Sequence, residues 1–195
     1  PTVPFVKKHA DLFNFNATFM AQLEDLHQKC GYDAYLKKYM TFPAAGVQPP
    51  MYFDYEKDAD CDVFDLVINE ALRVNPCFNL YRVSDMCPIP WDVLGFPTEL
   101  MELPAGATIY FDRADVKKAM HAPNKEWAIC SSEPVFTGGS SGPEQEGDIS
   151  ADPIQHVLPQ VIEATNRVLV SNGDYDLVIM TEGTLLSIMN TTWNG

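Results

Sequence analysis

The residues best placed to do chemistry lie near the C-terminal end, in Asn172-Gly173-Asp174-Tyr175-Asp176, which Ser171 joins to the apolar run Val168-Leu169-Val170. Two readings compete there. Asn-Gly between two apolar stretches is a β-hairpin signal, whereas a carboxylate at the C-terminal end of a central strand sits where open α/β sheets carry their sites. Spacing alone leaves both open. Gly138-Gly139-Ser140-Ser141-Gly142 matches G-x-S-x-G, but a nucleophile elbow needs a strand feeding a strained turn into a helix. Pro143-Glu144-Gln145-Glu146-Gly147 breaks any such helix, so the stretch reads as a flexible loop. Asp58, Asp60 and Asp62 alternate as in a calcium loop, but its sixth and twelfth positions hold Val63 and Asn69 instead of glycine and glutamate. They read as a solvated acidic segment ending in a helix cap, and no metal site is expected. His9, His27, His121 and His156 are dispersed and read as packing or surface residues. No histidine follows residue 156, so a triad in the order serine, acid, histidine is incomplete within these residues.

The elements that must position these residues change character along the chain. In the first half, Phe19, Leu23, Leu26 and Cys30 recur at helical spacing after Asn16, with Gly31 as the stop. A second helix is expected over roughly Asp33 to Met40, then a Pro-rich loop from Thr41 to Lys57. A third starts at Asp62, carries Phe64, Val67, Ile68, Ala71 and Leu72, and must end before Pro76. In the second half, residues 107–111 (ATIYF) read as a short strand, with Asp112 capping a helix through Val116 and Met120. Asp152-Pro153 is a cap followed by proline at the first helical position, and Pro159 should kink that helix. Val168-Leu169-Val170 then reads as a buried strand, followed by a helix over about Thr184 to Met189. Helix, buried strand, loop and helix form the grammar of an α/β sheet. The chain therefore divides into a helical region, 1–103, and α/β segments, 104–195.

Composition limits the function classes. The chain has 195 residues and a formal net charge of −14, with 46% hydrophobic and 21% charged residues. Such an acidic chain repels phosphate, which argues against nucleic acid as a partner. No apolar run reaches the roughly 20 residues of a membrane helix. Five cysteines without C-x-x-C spacing fit neither a zinc ribbon nor a thioredoxin-type site. With the acceptor triplets at Asn16 and Asn190, they favour an oxidising, secretory compartment. Pro1-Thr2-Val3-Pro4 does not open as a leader peptide, so a secreted chain of this kind would be mature or a piece of something longer.

Several separated stretches, in order, resemble the serine carboxypeptidases of the α/β-hydrolase class, most closely the secreted fungal ones. Residues 168–176 resemble that family's strand and G-D-x-D loop. Residues 109–116 with Ala119-Met120-His121-Ala122 resemble its Y-x-N-R-x-D-V-x-x-A-L-H-A helix. Trp127 with Cys130-Ser131, Cys77 through Cys87-Pro88, and Thr192-Trp193-Asn194-Gly195 also fit. The resemblance implies a partial α/β-hydrolase fold with a mainly helical insertion, and an exopeptidase acting on peptide or protein C-termini through a serine ester, without a cofactor. It implies that Asp176 is the triad acid and that the residues after it, Leu177, Val178 and Ile179, line part of the substrate pocket. It implies bridges Cys30–Cys61 and Cys77–Cys87, with Cys130 pairing outside these residues. The family's G-E-S-Y-[AG]-G nucleophile motif is absent, and its histidine lies downstream of the Trp-Asn-Gly. The chain then corresponds to the middle of an enzyme whose N- and C-terminal segments are its missing partners. A non-catalytic interaction module, or one subunit of a processed hydrolase, is the alternative.

Overall fold

The computed structural model describes residues 1–49, 51, 59–87, 106, 108–128 and 152–194. They fall into two compact units, Pro1–Asp85 with Ala151–Gly195, and Met86–Ser150. Among the described residues the regular elements are helical, with no strand.

In the first unit, α1 (Thr2–Lys8) and α2 (Ala10–Phe13) precede α3 (Ala17–Lys29). Asn16 caps α3: its side chain accepts from Phe19 N–H at 2.9 Å, which satisfies one of the donors a helix start leaves unpaired. Phe19, Leu23 and His27 are the residues α3 buries. Gly31, at φ 76°, takes the left-handed conformation that a β-carbon disfavours, and the chain reverses there into α4 (Tyr32–Tyr39). A disulfide joins Cys30 to Cys61 with Cα atoms 5.8 Å apart. Tyr32 O–H donates to the Cys61 carbonyl at 2.7 Å beside it. Cys77 and Cys87 are also disulfide-bonded.

After a 3-10 turn at Ala59–Cys61, α5 (Val63–Val74) starts at Asp62, whose carboxylate accepts from Asp65 N–H at 3.1 Å. It stops at Asn75, where Pro76 forces extended backbone. Its buried stripe, Val63, Val67 and Ala71, packs with Val3, Phe5 and Val6 of α1, Phe13, Phe19, Leu23, Phe78, Val83, Leu177 and Met180 in one core. Each fully buried Val, Leu or Phe contributes roughly 1.5–3 kcal/mol. The core thus draws on both ends of the chain, and the residues around position 177 are part of it.

Sequence reading passes over α1 and the single turn of α2. Val3, Val6 and His9 recur every third position, and Pro4 sits in the first turn, where its missing N–H costs no helical bond.

At the C-terminal side, the Asp152 carboxylate accepts from Ile154 N–H, and the chain begins as a π-helical turn, Pro153–Val157, before α7 (Leu158–Thr165). Pro159, expected to kink one continuous helix, therefore lies at the start of a new one. Leu158 N–H reaches five residues back to Pro153 O, and Pro159 falls in the first turn of α7, where no donor is needed. The final helix, α8 (Thr181–Met189), starts three residues before the expected Thr184. Its end receives the 46–49 loop: Gln48 N–H donates to Asn190 Oδ1 and Gln48 Nε2 to Leu186 O, both at 2.7 Å.

Three sequence expectations need correction. Residues 168–170 form no strand, and Leu169 is 92% exposed, because a strand needs a neighbouring ladder and none is present among the described residues. The expected strand at 107–111 is instead a 3-10 turn, Tyr110–Asp112, at its described end. Asp112 does not cap the following helix, α6 (Ala114–Ala119); Arg113 occupies the cap position without a side-chain bond. In that second unit, Asp112 Oδ1 accepts from Trp127 N–H at 2.7 Å and Lys117 Nζ at 2.9 Å, and the Phe111 and Trp127 rings stack at 5.6 Å. Lys117 and the Trp127 amide hold the Asp112 carboxyl below the usual carboxylate range.

Candidate active site

The Asn172–Asp176 loop runs between the exposed 168–170 segment and α8. It is not a hairpin, since neither flank is a strand among the described residues; the turn falls at Asp174–Tyr175. Asn172 ties its two ends together. Its Nδ2 donates to Ile179 O at 2.8 Å and to Gly173 O at 3.0 Å, and its Oδ1 accepts from Thr184 Oγ1 at 2.6 Å. Asp174 forms an ion pair with Lys8 at the end of α1. The bond from Lys8 holds the Asp174 carboxyl below its ordinary value and raises the lysine in turn. The Tyr175 ring meets the His9 ring edge-on at 5.4 Å.

Asp176 is half-buried, between exposed Tyr175 and fully buried Leu177. Its Oδ1 accepts from Val178 N–H at 2.8 Å and Ile179 N–H at 2.9 Å, an Asx-type turn that fixes the carboxylate plane. Among the described residues Oδ2 receives no hydrogen bond. One oxygen is therefore anchored while the other remains able to accept from an incoming donor. Val178 and Ile179 are 38% and 60% exposed beside it. Leu177, which the resemblance places with them, is fully buried in the core. Sequence reasoning took Asn172 only as part of the Asn-Gly turn signal and missed the tie its side chain makes.

Of the other candidates among the described residues, His9 reaches this loop through the Tyr175 ring, and the rest lie elsewhere. His27 lies in α3, where burial pushes its imidazole below its ordinary value and Glu24 partly offsets the shift. His9 is buried, and His121 and His156 are exposed. Asp62 is spent as a helix cap, and Asp60 lies 3.7 Å from Lys29. Among the described residues no group of three or more His, Cys, Asp or Glu side chains could hold a metal ion. Asp58, Cys130 and the Gly138–Gly142 stretch lie outside the described residues.

The profile of the serine carboxypeptidase family matches residues 9–195. The chain belongs to the serine carboxypeptidase family. That family has the α/β-hydrolase fold. Over all 195 residues the chain is 65% identical to serine-type carboxypeptidase F of Aspergillus niger, covering 36% of that protein. It is 41% identical to a probable serine carboxypeptidase of Arthroderma benhamiae and 33% identical to a carboxypeptidase Y homolog of the same organism, each match covering the whole chain and 35% of the relative. The chain thus spans about a third of the length of the curated carboxypeptidases it matches. No solved structure matches it significantly.

Proposed function

We propose that these residues form the middle of a serine-type carboxypeptidase that releases C-terminal residues from peptides, with Asp176 as its triad acid. The observation that carries this reading is the asymmetric carboxylate of Asp176. Oδ1 is held by two backbone amides, and Oδ2 is open to an imidazole N–H. A carboxylate held in this way fixes the tautomer and orientation of a histidine. It also stabilises the imidazolium that forms when the histidine takes the proton of the attacking serine. Asp176 stays ionised throughout; the proton passes between serine, histidine and leaving amine. Serine and histidine come from segments flanking this chain, since the family's nucleophile motif is absent from its sequence.

In this reading Val178 and Ile179, exposed next to the acid, line part of the pocket for the substrate side chain. Residues 1–103 belong to the helical insertion and 104–195 to the sheet-bearing core, where strands of the flanking segments pair with 168–170. Its exposure at Leu169 supports that assignment. Cys130 pairs with a cysteine outside this chain, Asn16 and Asn190 carry glycans, and the enzyme travels the secretory pathway to the vacuole or the medium. The bridge at Cys30–Cys61 fits that compartment.

The test is release of the terminal residue from an N-blocked dipeptide. The full-length enzyme carrying this chain should release it and lose that activity to a serine-directed inhibitor, and the 195-residue chain alone should release none. Activity of the isolated chain, or full-length activity indifferent to the inhibitor, would contradict the reading.

A further inference from the structure

Asp176 is bracketed by two backbone bonds to a single segment. Val83 N–H donates to Tyr175 O at 3.0 Å, and Leu177 N–H donates to Leu80 O at 2.8 Å. Residues 175 and 177 are thus both pinned, with the acid between them. The pinning segment is neither helix nor strand, so its shape must come from side chains. Asn79, 3% exposed, supplies it. Its Oδ1 accepts from Tyr81 N–H at 3.0 Å, closing an Asx turn that sets the direction of the Leu80 carbonyl. Its Nδ2 donates to Asp85 Oδ2 at 2.9 Å, and Asn75 Nδ2 holds the Asp85 carbonyl at 2.7 Å. A buried amide bonded at both ends specifies one arrangement, because any other leaves a polar group unsatisfied.

We propose that Asn79, acting with Asp85, is a positioning residue for the triad acid: the turn it closes presents Leu80 O and Val83 N–H, which fix the backbone on either side of Asp176. This rests on the reading of Asp176 as the acid. Asn79 touches neither substrate nor the reacting atoms. Its effect is geometric, and a displacement of about 1 Å in such a constellation costs up to about 100-fold in rate.

The test uses the full-length enzyme with Asn79→Asp, the exchange Asn79→Asp/Asp85→Asn, and Asp176→Asn as reference. Asn79→Asp keeps the acceptor for Tyr81 N–H but sets a second carboxylate against Asp85. It should lower kcat about 10- to 100-fold with KM little changed. The acid limb of the kcat/KM profile should move to lower pH, because a displaced acid stabilises the imidazolium less. The exchange restores a carboxylate–amide pair and should bring back both kcat and the profile. If Asn79→Asp does not fold, Asn79→Ser retains an acceptor for Tyr81 N–H and loses only the Asp85 bond. It should then show the same profile shift with a smaller kcat loss. A folded Asn79→Asp or Asn79→Ser enzyme with wild-type kcat and profile overturns the inference, as does a loss that the exchange leaves unrestored. Full activity in Asp176→Asn would instead sink the assignment of the acid, so the two failures are told apart.

Discussion

Replacing both Cys30 and Cys61 by alanine tests what holds α3, α4 and α5 together. The bridge closes a loop with a sequence separation of 31 and joins the end of α3 to the turn that starts α5. Within that loop Phe42 and Val47 are 90% and 63% exposed and add little packing. In the chain-entropy treatment, releasing a loop of that length costs about 4 kcal/mol, by widening the unfolded ensemble. For a chain of this size that corresponds to a fall in Tm of roughly 8–15 °C. The Tyr32–Cys61 carbonyl bond survives the substitution, so the loss should come from the bridge alone. The assay is thermal unfolding followed by circular dichroism, with and without reductant. The double variant should melt that much below the wild type without reductant, and it should keep a smaller response to reductant, because Cys77 and Cys87 stay disulfide-bonded in it. A fall of under 2 °C would refute the reasoning, since the helices would then be held by packing alone.

Two further outcomes follow from side chains with double duties. Burial holds His27 below its ordinary pKa of 6.5, partly offset by Glu24 and Asp33, so the unfolded chain binds a proton that the folded one refuses. Stability is therefore full above that value and declines as pH falls from there toward the lowered folded value. His27→Gln should flatten the dependence of the urea midpoint between about pH 7 and pH 5, and unchanged slopes would show that His27 does not carry it. Asn16 both caps α3 and is read as a glycan acceptor. Asn16→Asp should remove one glycan by mass spectrometry with the cap intact, and Asn16→Ala should lose about 1 kcal/mol more in denaturant unfolding.

The parts of this fold legible in the sequence are those set by local chemistry. Asn16, Asp62 and Asp152 each sit before an apolar periodic run, and each accepts a backbone N–H at the start of its helix. Asp112 carries the same local signal, yet the Trp127 amide and Lys117 compete for its carboxylate and win, a contest that sequence spacing does not display. Val168-Leu169-Val170 has the composition of a buried strand, but β structure is a property of pairs, and composition names no partner. At the site, the motif singles out Asp176 as the proposed acid. The machinery around it was not legible, because Leu80, Val83 and Lys8 lie far away in sequence and act largely through backbone atoms or a single ion pair. Helix α1 was obscured by its prolines, Pro1 and Pro4, which resemble loop chemistry until the first-turn exemption is applied.

The most direct measurement is kcat of the full-length enzyme with Asp176→Asn and with Asp174→Asn, on one blocked dipeptide. The amide at position 176 would present a donor where the imidazole N–H must be accepted and favour the wrong tautomer. Turnover should fall by roughly 10⁴-fold with the fold retained. Asp174 instead pairs with Lys8 at the surface, and its loss should cost far less, because exposed ion pairs contribute about 0–1 kcal/mol. Near-normal turnover with Asp176→Asn, or a larger loss with Asp174→Asn, would contradict the proposed assignment of Asp176 as the triad acid.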